Sequence, residues 1–503
     1  MTDADPLPEG LDVDRRAPPC VLVVYGASGD LTHRKLVPAL EALASDRRLS
    51  PAFAVVGVAR TEMTDGEFRA KVLEAVPEPS AAWKALAGNF RYVAGSYTAD
   101  GTFERLGQVL AELDDQVGTA GNRVHYLATV PEVFAGVAAA LGRHGLSDPR
   151  DAGCFVRLVI EKPYGRDLAG AQHLDDAIHE VFREEQVYRI DHYLGKETVQ
   201  NLLALRFANA IFEPIWNRRY VDHVQITVAE SLGVGHRGGF YETAGALRDI
   251  VQNHVLQVLA LTLMEPPATI DAKGIRDEKV KALRAVDILD PGDVSMDVVR
   301  AQYEGGRVEG EEVPGYREEG GVAPDSRTET YVAMRMKIDN WRWAGVPFYV
   351  RTGKRLPRRA TEVAMEFSDV PHLPFGSEET RGLGPNALVL RIQPDEGISL
   401  RFGAKVPGQA FRVRSVSMDF SYGAAFREET PDAYERLLLD AMVGDPTLFI
   451  RADEVEQAWR IVQPTLDVWS DDATPLARYP AGSWGPSEAD RLLERDGRRW
   501  RSP

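Results

Sequence analysis

The chain has 503 residues, of which 44% are hydrophobic and 27% are charged; these fractions are ordinary for a globular protein, and the length exceeds what one hydrophobic core usually covers. Asp and Glu outnumber Lys and Arg by 76 to 59, and the net charge of −17 argues against non-specific binding to nucleic acid or anionic membranes. Two cysteines exclude a disulfide framework and a cysteine zinc motif. No apolar run approaches the roughly 20 residues of a membrane span or forms a signal-peptide core. We therefore expect a cytoplasmic protein of two domains, with no nucleic-acid, membrane or metal partner.

The amino-terminal part predicts a nucleotide-binding domain over residues 19–190, after a disordered lead-in at residues 1–18. The continuous apolar run Cys20–Tyr25 is typical of a buried parallel strand, and residues 35–43 have helical periodicity. A tight turn separates them, formed by Gly26, Ala27, Ser28, Gly29, Asp30 and Leu31. Strand, glycine turn and helix form a dinucleotide fingerprint, in which pyrophosphate lies at the helix N-terminus. The spacing departs from G-x-G-x-x-G, and glycine turns also follow strands in many folds for steric reasons alone. This motif therefore does not by itself identify a dinucleotide-binding site.

The residue after the second predicted strand favours NADP over NAD. The apolar run Phe53–Val58 is followed by Ala59 and Arg60, and the first carboxylate beyond them is Glu62. An acidic residue at this position binds a free ribose hydroxyl, whereas an arginine suits the 2′-phosphate of NADP. The alternative is an exposed loop arginine with no ligand. We predict NADP, with use of NAD left open.

Further strands alternate with helices in this part of the chain, which predicts a doubly wound parallel α/β sheet of the Rossmann type. The strands are expected at Phe90–Val93, Arg123–Leu127, Phe155–Ile160 and Val187–Ile190. Thr129 and Pro131 follow the fourth strand, where loops face a cofactor. Lys162 follows the fifth strand and can reach both a nicotinamide and a sugar hydroxyl; the alternative is an ion pair with Glu161.

The most informative stretch follows the sixth strand and runs from Asp191 through His192 and Tyr193 to Lys196. Helical spacing begins directly after it. Polar groups at such a junction project from the end of the sheet where α/β folds hold ligands. The imidazole, the phenol and the ammonium group supply several hydrogen-bond donors, which suits a phosphate dianion. A solvated helix start with a satisfied histidine is the alternative.

Residues 191–503 predict an α+β domain with a large antiparallel sheet, because several strands follow one another from Val221 to Lys405. A helix is expected from Tyr241 to about Met264. Asp249 and His254 lie five residues apart in it, or about 140° apart around an α-helix, so they do not face the same way unless the helix is irregular. The basic loop Gly353–Arg359 favours an anion, or is a solvated edge loop. The tail beyond Gly485 is expected to be peripheral.

The stretch Asp-His-Tyr-Leu-Gly-Lys-Glu resembles the substrate-site signature of the glucose-6-phosphate dehydrogenase family, in its bacterial form. The similarity extends from about Val21 to about Trp469. Four further blocks carry it in the family's order: Gly26–Leu31, Glu161–Gly165, Arg248–His254 and Val350–Leu356. The first block is shared by many nucleotide-binding proteins, and Glu-Lys-Pro occurs in other sugar oxidoreductases. The signature and the Arg248–His254 block are far more specific.

The resemblance implies oxidation of glucose 6-phosphate at C1 to the phosphogluconolactone, with hydride transfer to NADP. It assigns His254 as the base and Asp191 as the carboxylate that holds it. The implied substrate contacts are His192, Tyr193, Lys196, Glu230, Asp249, Lys354, Arg359, Gln393 and Lys162. The implied cofactor contacts are Gly26, Ala27, Ser28, Gly29, Asp30, Leu31, Lys35, Arg60, Thr129, Pro131 and Lys162. No metal is required, and we expect a homodimer or homotetramer.

The sequence leaves two alternative functions open. One is a Glu-Lys-Pro sugar oxidoreductase with a different substrate, against which the phosphate-binding cluster argues. The other is a catalytically silent homologue that serves as a regulatory or scaffold subunit. Such a protein is expected to lose the base or its carboxylate, and both are present here.

Overall fold

A computed structural model describes residues 15–376, 379–408, 411–423, 432–471 and 474–503. The chain divides into two compact units. Unit 1 contains the described residues of Met1–Gly165, Ala169–Gly195 and Pro431–Ala452, and unit 2 contains those of Arg166–Leu168, Lys196–Thr430 and Asp453–Pro503. The division therefore falls five residues after the expected boundary at 190. Unit 1 also includes the late segment Pro431–Ala452. Hydrophobic periodicity describes only local structure and therefore does not predict that this segment joins the amino-terminal domain.

Unit 1 is built on a seven-stranded sheet with the order β17-β6-β5-β4-β1-β2-β3. Its strands are β1 (Cys20–Tyr25), β2 (Phe53–Ala59), β3 (Arg91–Ala94), β4 (Arg123–Leu127), β5 (Val156–Ile160), β6 (Val187–Ile190) and β17 (Phe449–Ile450). The first six are parallel, and only the late strand β17 runs antiparallel, against β6. Every residue of β1 and β2 is buried, as continuous apolar runs require when helices cover both faces of a sheet. The predicted doubly wound parallel sheet is confirmed.

Helices connect these strands in the expected alternation. They are α1 (Val37–Ser45), α2 (Asp65–Glu74), α3 (Ala81–Leu86), α4 (Asp100–Val117), α5 (Phe134–Arg143), α6 (Leu168–His179) and, from the late segment, α12 (Ala433–Val443). A short π-helix, Thr32–Leu36, precedes α1, so the helix after the glycine turn begins earlier than its periodicity indicates.

The described part of the lead-in is attached to unit 1. Residues 1–14 of the predicted disordered segment lie outside the described residues. The guanidinium of Arg15 contacts Asp440 at 2.9 Å and Asp445 at 2.8 Å. Ala17 is buried, and its N–H donates to the main-chain oxygen of Arg48. The expectation of disorder is therefore wrong for residues 15–18, because contacts with distant residues hold them.

Unit 2 is built on a nine-stranded sheet with the order β16-β15-β14-β13-β7-β12-β11-β8-β18. Its strands are β7 (Val221–Ala229), β8 (Val298–Glu304), β11 (Tyr331–Met336), β12 (Phe348–Gly353), β13 (Ala360–Phe367), β14 (Ala387–Gln393), β15 (Gly397–Lys405), β16 (Val413–Ser421) and β18 (Ala477–Pro480). The β7–β12 and β8–β18 pairs are parallel and the others are antiparallel. The predicted large antiparallel sheet is thus confirmed, with two parallel pairs in it.

The helices of unit 2 are α7 (Glu197–Phe207), α8 (Gly238–Ala246), α9 (Leu256–Leu263), α10 (Ala272–Arg284), α11 (Pro291–Asp297), α13 (Ala452–Trp469, which starts at the last residue of unit 1) and α14 (Ser487–Glu494). A nine-residue π-helix, Leu247–Val255, separates α8 from α9. The expected continuous helix from Tyr241 to Met264 is therefore three helical segments. The hairpin of β9 (Gly306–Val308) and β10 (Glu311–Val313) lies between β8 and β11 in the chain.

The carboxy-terminal tail is integrated into unit 2, so the expectation that it is peripheral is wrong. Leu492 and Leu493 are buried. Arg498 contacts the Asp222 carboxylate at 2.7 Å, and Arg501 contacts Glu362 at 3.0 Å. The high charge of this segment reflects ion pairs with strands β7 and β13 and not a fully solvated chain.

Among the residues that the structure describes, none of the helices combines the length and the apolar character needed to span a membrane.

Candidate functional site

The glycine turn lies at the carboxyl end of β1 in unit 1 and requires glycine at its first position. Gly26 has a φ of +93°, and a Cβ built on it would lie 2.4 Å from the main-chain oxygen of Ala128 and 3.2 Å from the Thr129 methyl group. Its N–H donates to the main-chain oxygen of Val58 at 2.9 Å. The turn therefore joins the ends of β1, β2 and β4, with Thr129 beside it. Glycine is therefore required at this position by the packing of the turn against the end of β4 and by its positive φ.

The other turn residues and their neighbours differ in exposure. Ala27 is buried, Gly29 and Leu31 are half-buried, and Ser28 and Asp30 are exposed. Lys35 is exposed, and its ammonium group contacts the Asp432 carboxylate at 2.9 Å. Pro131 begins a short 3-10 helix after β4.

Arg60 is exposed directly after β2, as its position in the sequence predicts. Its charge acts on Tyr97, whose pKa is raised by burial and lowered in turn by the guanidinium. Tyr97 is half-buried and was not singled out by sequence reasoning. An exposed cation at this strand end is suited to a phosphorylated ribose.

The Glu161–Lys162 pair after β5 is held by tyrosines. The buried Glu161 carboxylate accepts hydrogen bonds from the hydroxyls of Tyr126 at 2.6 Å and Tyr434 at 3.1 Å. Burial raises the pKa of Glu161, while the two phenols and the charge of Lys162 lower it. Lys162 is half-buried, and the Lys162–Pro163 peptide bond is cis. Attraction to Lys162 is thus one of several influences on Glu161, and the tyrosines anchor the carboxylate.

The signature stretch forms a tight turn after β6. Asp191 is 1% exposed, and its Oδ1 accepts the N–H of Tyr193 at 2.9 Å, while its main-chain oxygen accepts the N–H of Leu194 at 3.0 Å. The His192 ring lies against two tyrosines, with centroids 5.2 Å from Tyr193 and 6.5 Å from Tyr434. Tyr434 therefore contacts both His192 and Glu161. Sequence reasoning missed it, because it is 242 residues beyond His192 and no local pattern marks it.

In unit 2, two cations converge on one amide oxygen. The Lys196 ammonium donates to Gln393 Oε1 at 2.5 Å, and the Arg359 guanidinium donates to the same oxygen at 2.9 Å. The Gln393 amide nitrogen donates in turn to Thr361 Oγ1 at 2.9 Å. Two cationic donors that reach the same oxygen place charge-assisted hydrogen bonds at one point, so this cluster of Lys196, Arg359 and Gln393 is suited to an anion. The three residues were predicted separately and are brought together by the fold.

A second polar cluster in unit 2 lies at the ends of the parallel strands β7 and β12. The Lys354 ammonium contacts Glu230 Oε2 at 2.5 Å and lies 5.0 Å from the centroid of the Tyr241 ring. Tyr241 is buried, and its pKa is raised by burial and by the charges of Asp249, Glu329 and Glu230. Asp249 is therefore close to the same ring. Tyr241 was not predicted, since its only signal was its place at the start of an expected helix.

Asp249 and His254 both lie in the π-helix Leu247–Val255. In a π-helix each N–H bonds five residues back, so residues five apart come close to the same face. The irregularity that the spacing required is therefore present. His254 is 1% exposed, and its N–H donates to Asn253 Oδ1 at 2.6 Å.

Family models match nearly the whole chain. Residues 23–201 match the model described as glucose-6-phosphate dehydrogenase, NAD binding domain, and residues 203–501 match the model for the carboxy-terminal domain of the same enzyme.

Individual proteins are similar over the same length. The chain is 50% identical over 492 residues to glucose-6-phosphate 1-dehydrogenase of Aggregatibacter actinomycetemcomitans, covering 97% of this chain and 98% of the relative. It is 49% identical over 500 residues to glucose-6-phosphate 1-dehydrogenase 2 of Mycobacterium tuberculosis strain H37Rv, covering 97% and 96%. A solved structure of a glucose-6-phosphate dehydrogenase in complex with its substrate glucose 6-phosphate superposes with a TM-score of 0.87 at 33% identity, covering 97% of this chain and 99% of that one.

Proposed function

Because the chain belongs to the glucose-6-phosphate dehydrogenase family, we propose that it oxidises D-glucose 6-phosphate at C1 to 6-phospho-D-glucono-1,5-lactone, with NADP as the hydride acceptor. This is the first step of the oxidative pentose phosphate pathway. The observation that carries the proposal is the cluster of Lys196, Arg359 and Gln393, which brings two cationic side chains to one oxygen atom in a chain of net charge −17.

The phosphate of the substrate is the group that this cluster suits. A dianion accepts charge-assisted hydrogen bonds from both cations and replaces the weaker acceptor, the Gln393 oxygen. The acidic chain repels an anion at long range, so affinity has to come from local contacts. His192 and Tyr193 complete the phosphate contacts in this proposal, as donors from the signature stretch.

The sugar hydroxyls are assigned to the second cluster. The carboxylates of Glu230 and Asp249 accept hydrogen bonds from hydroxyl groups, and Lys354 donates one. The 2.5 Å contact between Lys354 and Glu230 supports this assignment, because it holds a donor and an acceptor side by side. Such bidentate contacts fix the ring and hold C1 in one orientation.

We assign proton removal from the C1 hydroxyl to His254. A base with a pKa near neutrality is best suited to accept this proton while the hydride leaves C1. The Asp191 carboxylate holds the other ring nitrogen in this proposal and stabilises the imidazolium that forms. The atoms balance: the C1 hydroxyl loses its proton to His254, the C1 hydrogen leaves with its electron pair, and a C=O double bond forms.

A nicotinamide cofactor fits the residues of unit 1, since the glycine turn directly follows the buried parallel strand β1, at the end of the sheet where such folds hold a pyrophosphate. When bound, it accepts the hydride from C1. The turn residues Gly26, Ala27, Ser28, Gly29, Asp30 and Leu31 would hold it with Lys35, Thr129, Pro131 and Lys162. Arg60 is assigned to the 2′-phosphate, which makes NADP the preferred cofactor.

Initial rates with glucose 6-phosphate and with glucose, each against NADP and NAD, test the function. We expect turnover only with the phosphorylated sugar and a higher kcat/KM with NADP. Equal rates with glucose would favour a sugar oxidoreductase of another specificity. Absence of turnover with every combination would favour a catalytically silent subunit.

We also propose a cytoplasmic homodimer or homotetramer. Three apolar side chains of the edge strand β16 support self-association: Val416 is 39% exposed, Met418 is 63% exposed and Phe420 is 37% exposed. They lie opposite Phe402, Leu400 and Ile398 of β15, which makes one apolar face across two strands. Light scattering of the wild type and of Met418→Asp tests this proposal; a monomeric wild type would contradict it.

A further inference from the structure

The start of the π-helix is formed by a break in the chain at Gly245. This residue has φ +68° and ψ 173°, which interrupts the helical path near the end of α8, two residues before the π-helix Leu247–Val255. A Cβ at Gly245 would lie 2.3 Å from Oε1 of Glu329. Both the backbone conformation and the space available therefore require glycine here.

The break creates two main-chain donors that a regular helix would have satisfied, and Glu329 accepts both. The N–H of Ala246 donates to the main-chain oxygen of Glu329 at 3.0 Å, and the N–H of Leu247 donates to its Oε1 at 3.0 Å. Glu329 is 5% exposed, so water is a poor substitute for either acceptor. The first turn of the π-helix is thus capped by a residue from another part of the chain.

Glu329 is held in place by the sheet of unit 2. It lies two residues before β11, which pairs with β8 and β12. The next residue, Thr330, donates its N–H to the main-chain oxygen of Ala301 at 2.8 Å. The position of the Glu329 carboxylate therefore follows the sheet, and through the Leu247 N–H the sheet determines where the π-helix starts.

The starting point matters because of the residues that the π-helix carries. Hydrogen bonding to the residue five back brings Asp249 and His254 toward one face, whereas an α-helical path would separate them by about 140°. An α-helix is the more common conformation for such a segment, so the π form depends on contacts outside it.

We propose that Glu329 is a positioning residue for the reaction: by accepting the N–H groups of Ala246 and Leu247 at the Gly245 break, it holds Leu247–Val255 in the π-helical path that presents Asp249 and His254 together. This inference rests on the proposed function, which assigns the substrate contact to Asp249 and the base to His254. Glu329 itself touches no reacting atom in this proposal.

Two variants of Glu329 distinguish the effect of its hydrogen-bond acceptor from the effect of its side-chain volume. Glu329→Leu keeps a similar volume and removes the acceptor, whereas Glu329→Gln keeps an oxygen that can accept the Leu247 N–H. Glu362→Leu is the matched control, since Glu362 is 4% exposed and contacts Arg501 from β13. We compare kcat, KM for glucose 6-phosphate and the thermal midpoint, with rates measured well below each midpoint.

We expect Glu329→Leu to lower kcat by about 100-fold, the effect of a displacement of roughly 1 Å at a reacting centre. Glu329→Gln should stay within about threefold of the wild type, and Glu362→Leu should lose thermal stability with kcat within the same range. The inference is overturned if Glu329→Leu keeps kcat within threefold, if Glu362→Leu loses kcat equally, or if Glu329→Gln is as slow as Glu329→Leu.

Hydrogen exchange provides a readout that does not depend on activity. We expect the amides of residues 246–255 to exchange faster in Glu329→Leu and to be unchanged in Glu362→Leu. If Glu329→Leu does not fold, the same measurements are made on Gly245→Ala, because the added Cβ collides with the Glu329 carboxylate. Unchanged hydrogen exchange and unchanged kcat in Gly245→Ala would refute the inference. An inactive wild type with faster exchange in the variant would refute the proposed function and leave the role of Glu329 in the helix intact.

Discussion

The buried ion pair between Lys279 and Glu454 offers the sharpest test of the energetics of unit 2. It joins α10 to the start of α13, and the ammonium nitrogen lies 2.6 Å from the carboxylate oxygen. The exposed fractions of the two side chains are 1% and 0%. Substitution of Lys279 by Met removes one charge, keeps the unbranched stem and leaves the other charge in a place that water does not reach.

Breaking a buried ion pair in this way costs about 3–5 kcal/mol. At about 2 °C per kcal/mol, the value for larger domains, the thermal midpoint should fall by roughly 6–10 °C. The double variant Lys279→Met with Glu454→Leu should recover most of this loss, because two apolar side chains of similar volume often match or exceed a buried ion pair in stability.

Thermal unfolding followed by circular dichroism measures the single and double variants against the wild type, with Lys273→Met as the control. Lys273 lies on the same helix and also contacts a carboxylate, but its side chain is 83% exposed. We expect the control to shift the midpoint by less than 2 °C, since exposed pairs contribute about 0–1 kcal/mol. A Lys279→Met midpoint within 2 °C of the wild type would refute the reasoning, and so would a double variant less stable than the single one.

Three further predictions concern the proposed site. His254→Asn should lower kcat by about 10²–10⁴-fold, the usual cost of losing a general base, and steady-state kinetics showing most of kcat retained would contradict the assignment. Lys196→Ala should raise KM for glucose 6-phosphate far more than KM for NADP, because it removes a charge-assisted phosphate contact. Equal rises in both KM values would indicate a general disturbance of the fold. Lys405→Ala is the control, because it removes an exposed lysine of β15 and should leave both KM values unchanged. Arg60→Ala should weaken NADP binding by about 1.5–3 kcal/mol and leave NAD unchanged in titration calorimetry, and equal losses for both cofactors would show that Arg60 does not contact the 2′-phosphate.

The strands of unit 1 could be predicted because their signal is local. The continuous apolar run Cys20–Tyr25 is a strand with the expected bounds, and so is the predicted strand Arg123–Leu127. A buried parallel strand is apolar on both faces, and this property is visible in six consecutive residues. The positions of Gly26 and Arg60 at strand ends follow from the same pattern.

The region from Tyr241 to Met264 shows that hydrophobic periodicity is not sufficient to predict whether a helix is continuous. Its apolar residues predict one continuous helix, but the break at Gly245 depends on Glu329, which lies more than 80 residues later. The spacing of Asp249 and His254 did indicate an irregular helix, although not its cause. The local apolar periodicity therefore predicted the position of the helix, whereas the distant acceptor Glu329 determined its hydrogen bonding.

Sequence alone determined the fold class, the strand-end positions of the candidate residues and the resemblance to a family, because each of these depends on residues close together in the chain. Only the tertiary structure decided that Tyr434 contacts His192, that Lys196 and Arg359 share the oxygen of Gln393, and that the charged tail is held by ion pairs. Such contacts join residues separated by tens to hundreds of positions. Their energies depend on burial and distance, which no local pattern of residue types contains.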